Sequence, residues 1–319
     1  MLLTDYLLSE ESIQWHYARQ LGIEHAVIRL PEGPDFAVDN PEHWRLLHRR
    51  FTDFGLKPIV VEPMPNSLHN AIKEGRPDRD ACLEKVIRMM AIMDQLDVRT
   101  ICVNFMAHVG WCRTSSEMPE RGGACVTGFR LADYRPTDTF TISEEQLWAN
   151  LLYFLQAVVP FAEKYGIRLA LHPDDPPVPR LGNVSRILTS ADRIEQAINL
   201  VPSPNVGVTL CQGSYAAMGE DIPAVIERFG RQDKIFFVHF RDIRGDRENF
   251  RETFHDNGQT DMAAAVRAYA RLGYQGPVRV DHVPTMAGED NQTPGYATVG
   301  RLFAIGYLKG LLDATGSAL

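Results

Sequence analysis

The sequence is short of the features that mark several large classes of protein. It has no apolar run long enough to cross a bilayer, and residues 1–11 are too short and too acidic a stretch for a secretory signal. Basic residues are in the minority, with 33 Lys and Arg against 41 Asp and Glu, which gives a formal net charge of −8. Because binding to nucleic acid needs clustered positive charge, we expect neither a nucleic acid nor a membrane as a partner.

Cysteines are also few, and their spacing fits neither a disulfide framework nor a zinc motif. There are five, an odd number, and no two form a CxxC pair. This usage is typical of a reducing compartment, so we expect a cytoplasmic protein. No glycine-rich phosphate loop, GxGxxG or P-loop, follows the first apolar run, which argues against a nucleotide-binding open sheet.

What the chain does contain is a regular alternation of apolar runs with amphipathic helical patterns. The order of strand then helix recurs about eight times without a linker, which predicts an α/β fold, a (β/α)8 TIM barrel formed as one domain over residues 1–319. An open doubly wound sheet is the alternative. A stretch over about residues 106–142, which we place after the third strand, is polar, glycine-rich and without periodicity, and it predicts a long functional loop.

Four successive apolar runs of the second half end in a side chain that can bind a metal. These side chains are His172, Cys211, His239 and Asp281. In a barrel the carboxyl ends of the strands meet on one face, so we expect a metal site made of two imidazoles, a thiolate and a carboxylate. Singly, each has an ordinary structural explanation, such as a core histidine or a small buried cysteine. The donor set suits zinc, iron or cobalt, and its carboxylate also admits manganese.

Groups able to transfer protons lie beside these ligands in the sequence. His282 directly follows Asp281, and Tyr296 immediately precedes the last predicted helix, where an aromatic that only packs would be equally ordinary. A metal flanked by a histidine and a tyrosine suits removal of a proton next to a carboxylate or carbonyl. Arginines could hold an anionic substrate, because guanidinium binds carboxylate through two hydrogen bonds. The candidates are Arg113, Arg180, Arg186 and Arg241.

Short motifs spread over residues 104–302 carry a family resemblance. They are NFM at 104–106, WCRT at 111–114, HPDDPP at 172–177, CQGSY at 211–215, HFR at 239–241, FH at 254–255, DH at 281–282, PGY at 294–296 and GRL at 300–302. Together and in this order they resemble the D-mannonate dehydratase family of the hexuronate pathway, and HPDDPP is the most specific of them.

The resemblance implies a barrel hydro-lyase that removes water from D-mannonate to give 2-dehydro-3-deoxy-D-gluconate. It implies a divalent metal, usually Mn²⁺, with Fe²⁺, Co²⁺, Mg²⁺ or Zn²⁺ as other possibilities, and a homodimer. The implied metal ligands are His172, Cys211, His239 and Asp281, and the implied acid and base are His282 and Tyr296 in either order. Substrate contacts are expected from Asn104, Trp111, Arg113, Asp174, Ser214 and Arg241.

Departures from the family pattern leave two other functions open. The opening Arg-Trp strand of the family is not evident, and Val280 and Val283 stand where the family has proline and glycine. Because such changes affect the substrate envelope, another aldonic or uronic acid is an alternative substrate. A metal-dependent isomerase or epimerase of the xylose-isomerase-like type is one alternative function, and a catalytically silent sugar-acid-binding relative is the other.

Overall fold

A closed barrel of eight parallel strands forms the centre of the computed structural model, which describes residues 1–316. In chain order the strands are β1 (Leu2–Leu7), β2 (His25–Ile28), β3 (Lys57–Val61), β4 (Thr100–Asn104), β5 (Ser115–Pro119), β6 (Cys125–Arg130), β7 (Arg168–His172), β8 (Arg180–Leu181), β9 (Val184–Ser185), β10 (Val206–Cys211), β11 (Ile235–Phe240), β12 (Ile243–Asp246), β13 (Asn249–Glu252) and β14 (Pro277–Val280). The barrel order is β1-β14-β11-β10-β7-β4-β3-β2, and every neighbouring pair is parallel. The predicted (β/α)8 barrel is confirmed, while residues 317–319 of the predicted 1–319 domain lie outside the described residues.

Helices pack around this barrel and connect its strands. They are α1 (Ile13–Gln20), α2 (Pro41–Asp53), α3 (Asn66–Glu74), α4 (Arg79–Gln95), α5 (Glu144–Tyr165), α6 (Ala191–Ile198), α7 (Gln212–Ala217), α8 (Ile222–Gly230), α9 (Met262–Arg271) and α10 (Thr298–Ala314). Local sequence sets their ends: Ser143 Oγ accepts a hydrogen bond from Gln146 N at the start of α5, and Gly166 in the left-handed region closes that helix. None of the helices within residues 1–316 combines the length and apolar composition needed to cross a membrane.

The segment predicted as a long loop differs from the prediction in two respects. It follows the fourth barrel strand, β4, and not the third, because the short β1 at the N-terminus is itself a barrel strand. It also contains β5 and β6, which join β12 and β13 in a four-stranded antiparallel sheet of order β12-β13-β6-β5. β6 forms a local hairpin with β5, but its other partner, β13, lies after β11, and pairing at such a separation leaves no mark on local periodicity.

A small apolar cluster supports the strand ends that carry the predicted site. It contains Val27, Val60, Cys102, Ala170, Phe236 and Phe237. The ring of His239 packs edge-on against Phe237, with centroids 4.8 Å apart. Tight packing beneath the ring restricts its orientation, as a metal-binding histidine requires.

His255, which follows β13, is expected to make the protein less stable in mild acid. Its Nε2–H donates to the Phe240 carbonyl oxygen at 2.8 Å, and burial lowers the pKa of the ring from 6.5 to about 4. The unfolded chain therefore binds more protons than the folded one between these values, so stability falls as pH drops through this window. We expect this histidine to account for a loss of about 2 kcal/mol in the unfolding free energy between pH 7 and pH 5.

Urea unfolding of metal-stripped protein at the two pH values measures this effect. His255→Phe, which keeps a ring stacked on Phe240, should remove that share of the loss. The exposed His16 gives a matched control, because His16→Phe makes the same change of side chain at the surface. An equal pH dependence in His255→Phe and the wild type would show that this ring is not the sensitive group.

Candidate active site

The predicted metal ligands come together at the carboxyl end of the barrel. His172 and Cys211 end β7 and β10, His239 is the penultimate residue of β11, and Asp281 directly follows β14. One donor atom each of His172, Cys211 and His239 lies within 4.8 Å of the others, and Asp281 Oδ2 is 3.6 Å from His239 Nδ1. All four side chains are buried.

The polar neighbours of the two histidines fit a cation between them. His172 Nδ1 lies 2.6 Å from the Pro173 carbonyl oxygen, to which it donates, so Nε2 carries the lone pair. His239 Nε2 lies 3.0 Å from Glu62 Oε1, outside hydrogen-bond geometry, and the nearby carboxylate favours the tautomer with its proton on Nε2 and its lone pair on Nδ1. These two lone pairs then face each other across 3.2 Å. Two nitrogens bonded to one ion at about 2.1 Å lie about 3 Å apart, so a shared divalent cation suits this pair.

Glu62 and Arg279 belong to the same site and were not predicted. Arg279 donates to both carboxylate oxygens of Glu62 at 2.7 Å and to Asp281 Oδ1 at 2.8 Å. Burial raises the pKa of Glu62, but Arg279 and His239 outweigh it and bring the pKa to about 2. Glu62, Cys102 and His239 also bring donor atoms within 4.8 Å of one another. Because Arg279 occupies both Glu62 oxygens, this second group fits a cation less well than the first.

His282 and Tyr296 meet beside the predicted ligands. The Tyr296 hydroxyl lies 3.4 Å from His282 Nε2, and the two rings meet edge to face. His282 has a φ of 39°, in the left-handed region, and it is the residue between Asp281 and Val283, whose N–H donates to the Gly295 carbonyl. The loop that carries Tyr296 is thereby joined to the end of β14, which brings the predicted acid and base into contact.

A buried network of four charges stands behind this pair. Arg113 donates to Asp175 (2.7 and 2.9 Å) and to Glu252 (2.6 Å), and Arg241 donates to the same two carboxylates at 2.7–2.8 Å. Glu252 Oε1 also lies 3.3 Å from His282 Nδ1. Arg113 and Arg241, which were predicted to hold substrate, therefore bind protein carboxylates. Arg241 Nη1 additionally lies 3.5 Å from Cys211 Sγ and brings positive charge next to that predicted ligand.

The cavity above these groups has a volume of about 180 Å³. Of the residues predicted to contact substrate, Asn104 and Trp111 line it. Asp174 does not, because its fully buried Oδ2 accepts hydrogen bonds from the N–H groups of residues 187 and 188. Ser214 does not either, since its hydroxyl donates to Cys211 Sγ at 3.3 Å inside the protein.

Two further arginines that were predicted to hold substrate do not line the cavity, and several residues that do line it were not predicted. Arg180 is exposed, and Arg186 is buried and donates to the Gly110 carbonyl at 2.6 Å. The lining residues missed by the sequence analysis are Tyr6, Glu62, Pro63, Asn66, Cys102, Met106, Gly110, Asp175 and Arg279. For Glu62 a signal existed, because it ends an apolar run as the four predicted ligands do.

Comparison with known proteins gives concordant matches over nearly the whole chain. The family model for D-mannonate dehydratase (UxuA) matches residues 4–139 and 130–318. A mannonate dehydratase of Streptococcus equi subsp. zooepidemicus is 32% identical over 92% of this chain and 87% of its own length. Mannonate dehydratase 2 of Halalkalibacterium halodurans is 33% identical over 96% of this chain and 97% of its own.

Solved structures show the same likeness. The mannonate dehydratase from Streptococcus suis serotype 2 superimposes with a TM-score of 0.90 at 29% identity, covering 100% of this chain and 95% of that one. An L-ribulose 3-epimerase superimposes with a TM-score of 0.63 at 16% identity over 98% of this chain and 95% of its own, which shows a shared barrel fold alone.

Proposed function

Because this chain belongs to the D-mannonate dehydratase family and is a hydro-lyase, we propose that it removes water from D-mannonate to give 2-dehydro-3-deoxy-D-gluconate. The observation that carries the proposal is the contact between Tyr296 and His282 beside the buried group of His172, Cys211 and His239, which Asp281 adjoins. Dehydration of a sugar acid needs one group to take the C2 proton and another to protonate the departing C3 hydroxyl. This pair offers both groups in one cavity.

Four side chains are proposed to hold the metal: His172, Cys211, His239 and Asp281. Burial raises the pKa of Asp281, but Arg279, His282 and His239 outweigh it and hold that pKa well below its usual range, which keeps the carboxylate charged for a cation. A divalent cation bound there supplies Lewis acidity toward the substrate's oxygens. We propose Mn²⁺ as the first ion to test, while the thiolate keeps Fe²⁺, Co²⁺ and Zn²⁺ as candidates.

Tyr296 is proposed as the acid and His282 as the base. Burial and the Asp281 carboxylate raise the pKa of Tyr296, so its hydroxyl keeps its proton near neutral pH and can donate it to the C3 oxygen. His282 would take the C2 proton on Nε2, with Nδ1 toward Glu252. The C2–H electron pair forms the double bond to C3 as the C3–O bond breaks, water leaves, and the enol product becomes the 2-keto acid.

Turnover of a panel of aldonic acids, D-mannonate included, tests this proposal. Metal-stripped enzyme is resupplied with Mn²⁺, and each product is identified by mass. We expect D-mannonate to lose one water and to give a 2-keto-3-deoxy acid only after metal is restored. A change of retention at constant mass would instead support the isomerase alternative, and failure to convert any acid would support a silent binder.

A further inference from the structure

A buried lysine lies directly behind the cavity wall, outside the machinery described so far. Lys73 is in α3, the helix that follows β3. Its side chain is 1% exposed, and its Nζ donates to Asn104 Oδ1 at 3.3 Å. Asn104 ends β4 and lines the cavity.

Both N–H donors near the Asn104 side chain donate to its amide oxygen. Lys73 Nζ reaches Oδ1 from one side, and the Met106 N–H reaches it at 3.3 Å from another. Nδ2 donates no hydrogen bond to any group of residues 1–316, and it is not among the buried polar atoms that lack a partner. The amide nitrogen is therefore the end of the side chain that is left for the cavity.

Keeping an ammonium group in this place is costly for the fold. Burial, and to a smaller extent the neighbouring Arg186, lower the pKa of Lys73 to about 7 against the opposite effects of Glu74 and Asp174. The Asp174 carboxylate makes no hydrogen bond to Lys73, because Oδ2 accepts from two backbone N–H groups and Oδ1 lies 3.7 Å from Arg186 Nη1. A buried lysine with one hydrogen-bond acceptor stabilises a fold poorly. The role of Lys73 therefore lies in its effect on that acceptor, the side chain of Asn104.

We propose that Lys73 is a positioning residue that fixes the Asn104 amide with its two N–H donors toward the substrate, and so sets the affinity for the hydroxyl-bearing end of the sugar acid. This inference rests on the proposed function for the identity of the ligand. Without Lys73 the Asn104 amide is free to rotate by half a turn, which brings Oδ1 to the cavity in place of Nδ2. Oδ1 cannot donate a hydrogen bond to an oxygen of the substrate. Substrates with an acceptor oxygen at that position are favoured over deoxy analogues, because a deoxy carbon leaves the two donors unpaired.

Steady-state kinetics of Lys73→Met test the proposal, since methionine keeps the length of the side chain and removes its donors. We expect KM for D-mannonate to rise roughly 3- to 10-fold, the worth of one hydrogen bond, with kcat unchanged because the contact is equal in ground and transition states. Lys73→Gln, which keeps an N–H donor, should restore part of the affinity. The exposed Lys85 gives the control, and Lys85→Met should match the wild type.

Two further measurements separate positioning from a merely structural role. In an Asn104→Ala background, Lys73→Met should cause no additional rise in KM, whereas a structural lysine would add its loss. In a Tyr296→Phe background, Lys73→Met should weaken D-mannonate binding by calorimetry by the same factor. An unchanged KM and Kd in Lys73→Met, or additive losses with Asn104→Ala, would overturn the proposal. If the wild type leaves D-mannonate intact but converts another acid, the proposed substrate is wrong. The role of Lys73 is then tested by comparing Lys73→Met with the wild type on that acid.

Discussion

Replacing Tyr296 with phenylalanine is expected to lower kcat for dehydration by about 10²- to 10⁴-fold, the usual effect of removing a positioned acid or base. The change deletes one hydroxyl and keeps the ring, which packs against Tyr6 with centroids 5.7 Å apart and edge-on to His282. Because Tyr296 is not among the proposed ligands, the bound metal should be retained. Kinetics with D-mannonate and the metal content of the purified variant measure the two quantities.

His282→Asn supplies the companion experiment, because the two side chains are in contact and are proposed to act in one step. Its loss of kcat should be of similar size, and the double variant should be little worse than either single variant, as is usual for groups that act as a unit. Tyr307, which is on α10 away from the cavity lining, gives the matched control, so Tyr307→Phe should retain wild-type kcat. A Tyr296→Phe enzyme within tenfold of the wild type would remove this hydroxyl from the chemistry.

The barrel, and the convergence of the four proposed ligands at one end of it, could be predicted because both depend on local pattern. A buried parallel strand is a short apolar run, and a polar side chain at its carboxyl end must reach the one face where all strand ends meet. This rule placed His172, Cys211, His239 and Asp281 correctly at strand ends. The same rule selects Glu62, which ends the run of β3 and lies 3.0 Å from His239.

The direction in which the arginines point could not be predicted in this way. A guanidinium that binds a substrate carboxylate and one that binds a protein carboxylate have the same sequence signature. Glu252 lies opposite Ile243 in the β12–β13 hairpin, which brings it next to Arg241 through local pairing. Arg113 contacts the same carboxylate across 139 residues of chain, because β13 also pairs with β6. Long-range antiparallel pairing thus decided the partner of Arg113, and local sequence carries no record of it.

The buried network makes Arg241→Met the substitution with the largest expected effect on stability. Arg241 is fully buried and donates to Asp175 and Glu252, whose pKa values it and Arg113 hold below their usual range against the effect of burial. Removing one partner of a buried ion pair leaves uncompensated charge in the interior, so we expect the unfolding free energy to fall by about 3–5 kcal/mol. Arg241→Lys keeps the charge without the two-pronged geometry and should restore only part of this loss.

Urea unfolding at neutral pH measures the change, and an exposed pair provides the control. Arg45 and Glu42 form a surface ion pair at 3.3 Å, so Arg45→Met should cost less than about 1 kcal/mol. Lowered carboxylate pKa values stabilise the fold above their unfolded values near pH 4, and this stabilisation is lost as pH falls below them. Arg241→Met should therefore lower the unfolding free energy at neutral pH and also make it fall less steeply as the pH drops below 4. A loss as small as that of Arg45→Met would mean that Arg113 alone neutralises both carboxylates, and that Arg241 is retained for the charge it places 3.5 Å from Cys211 Sγ.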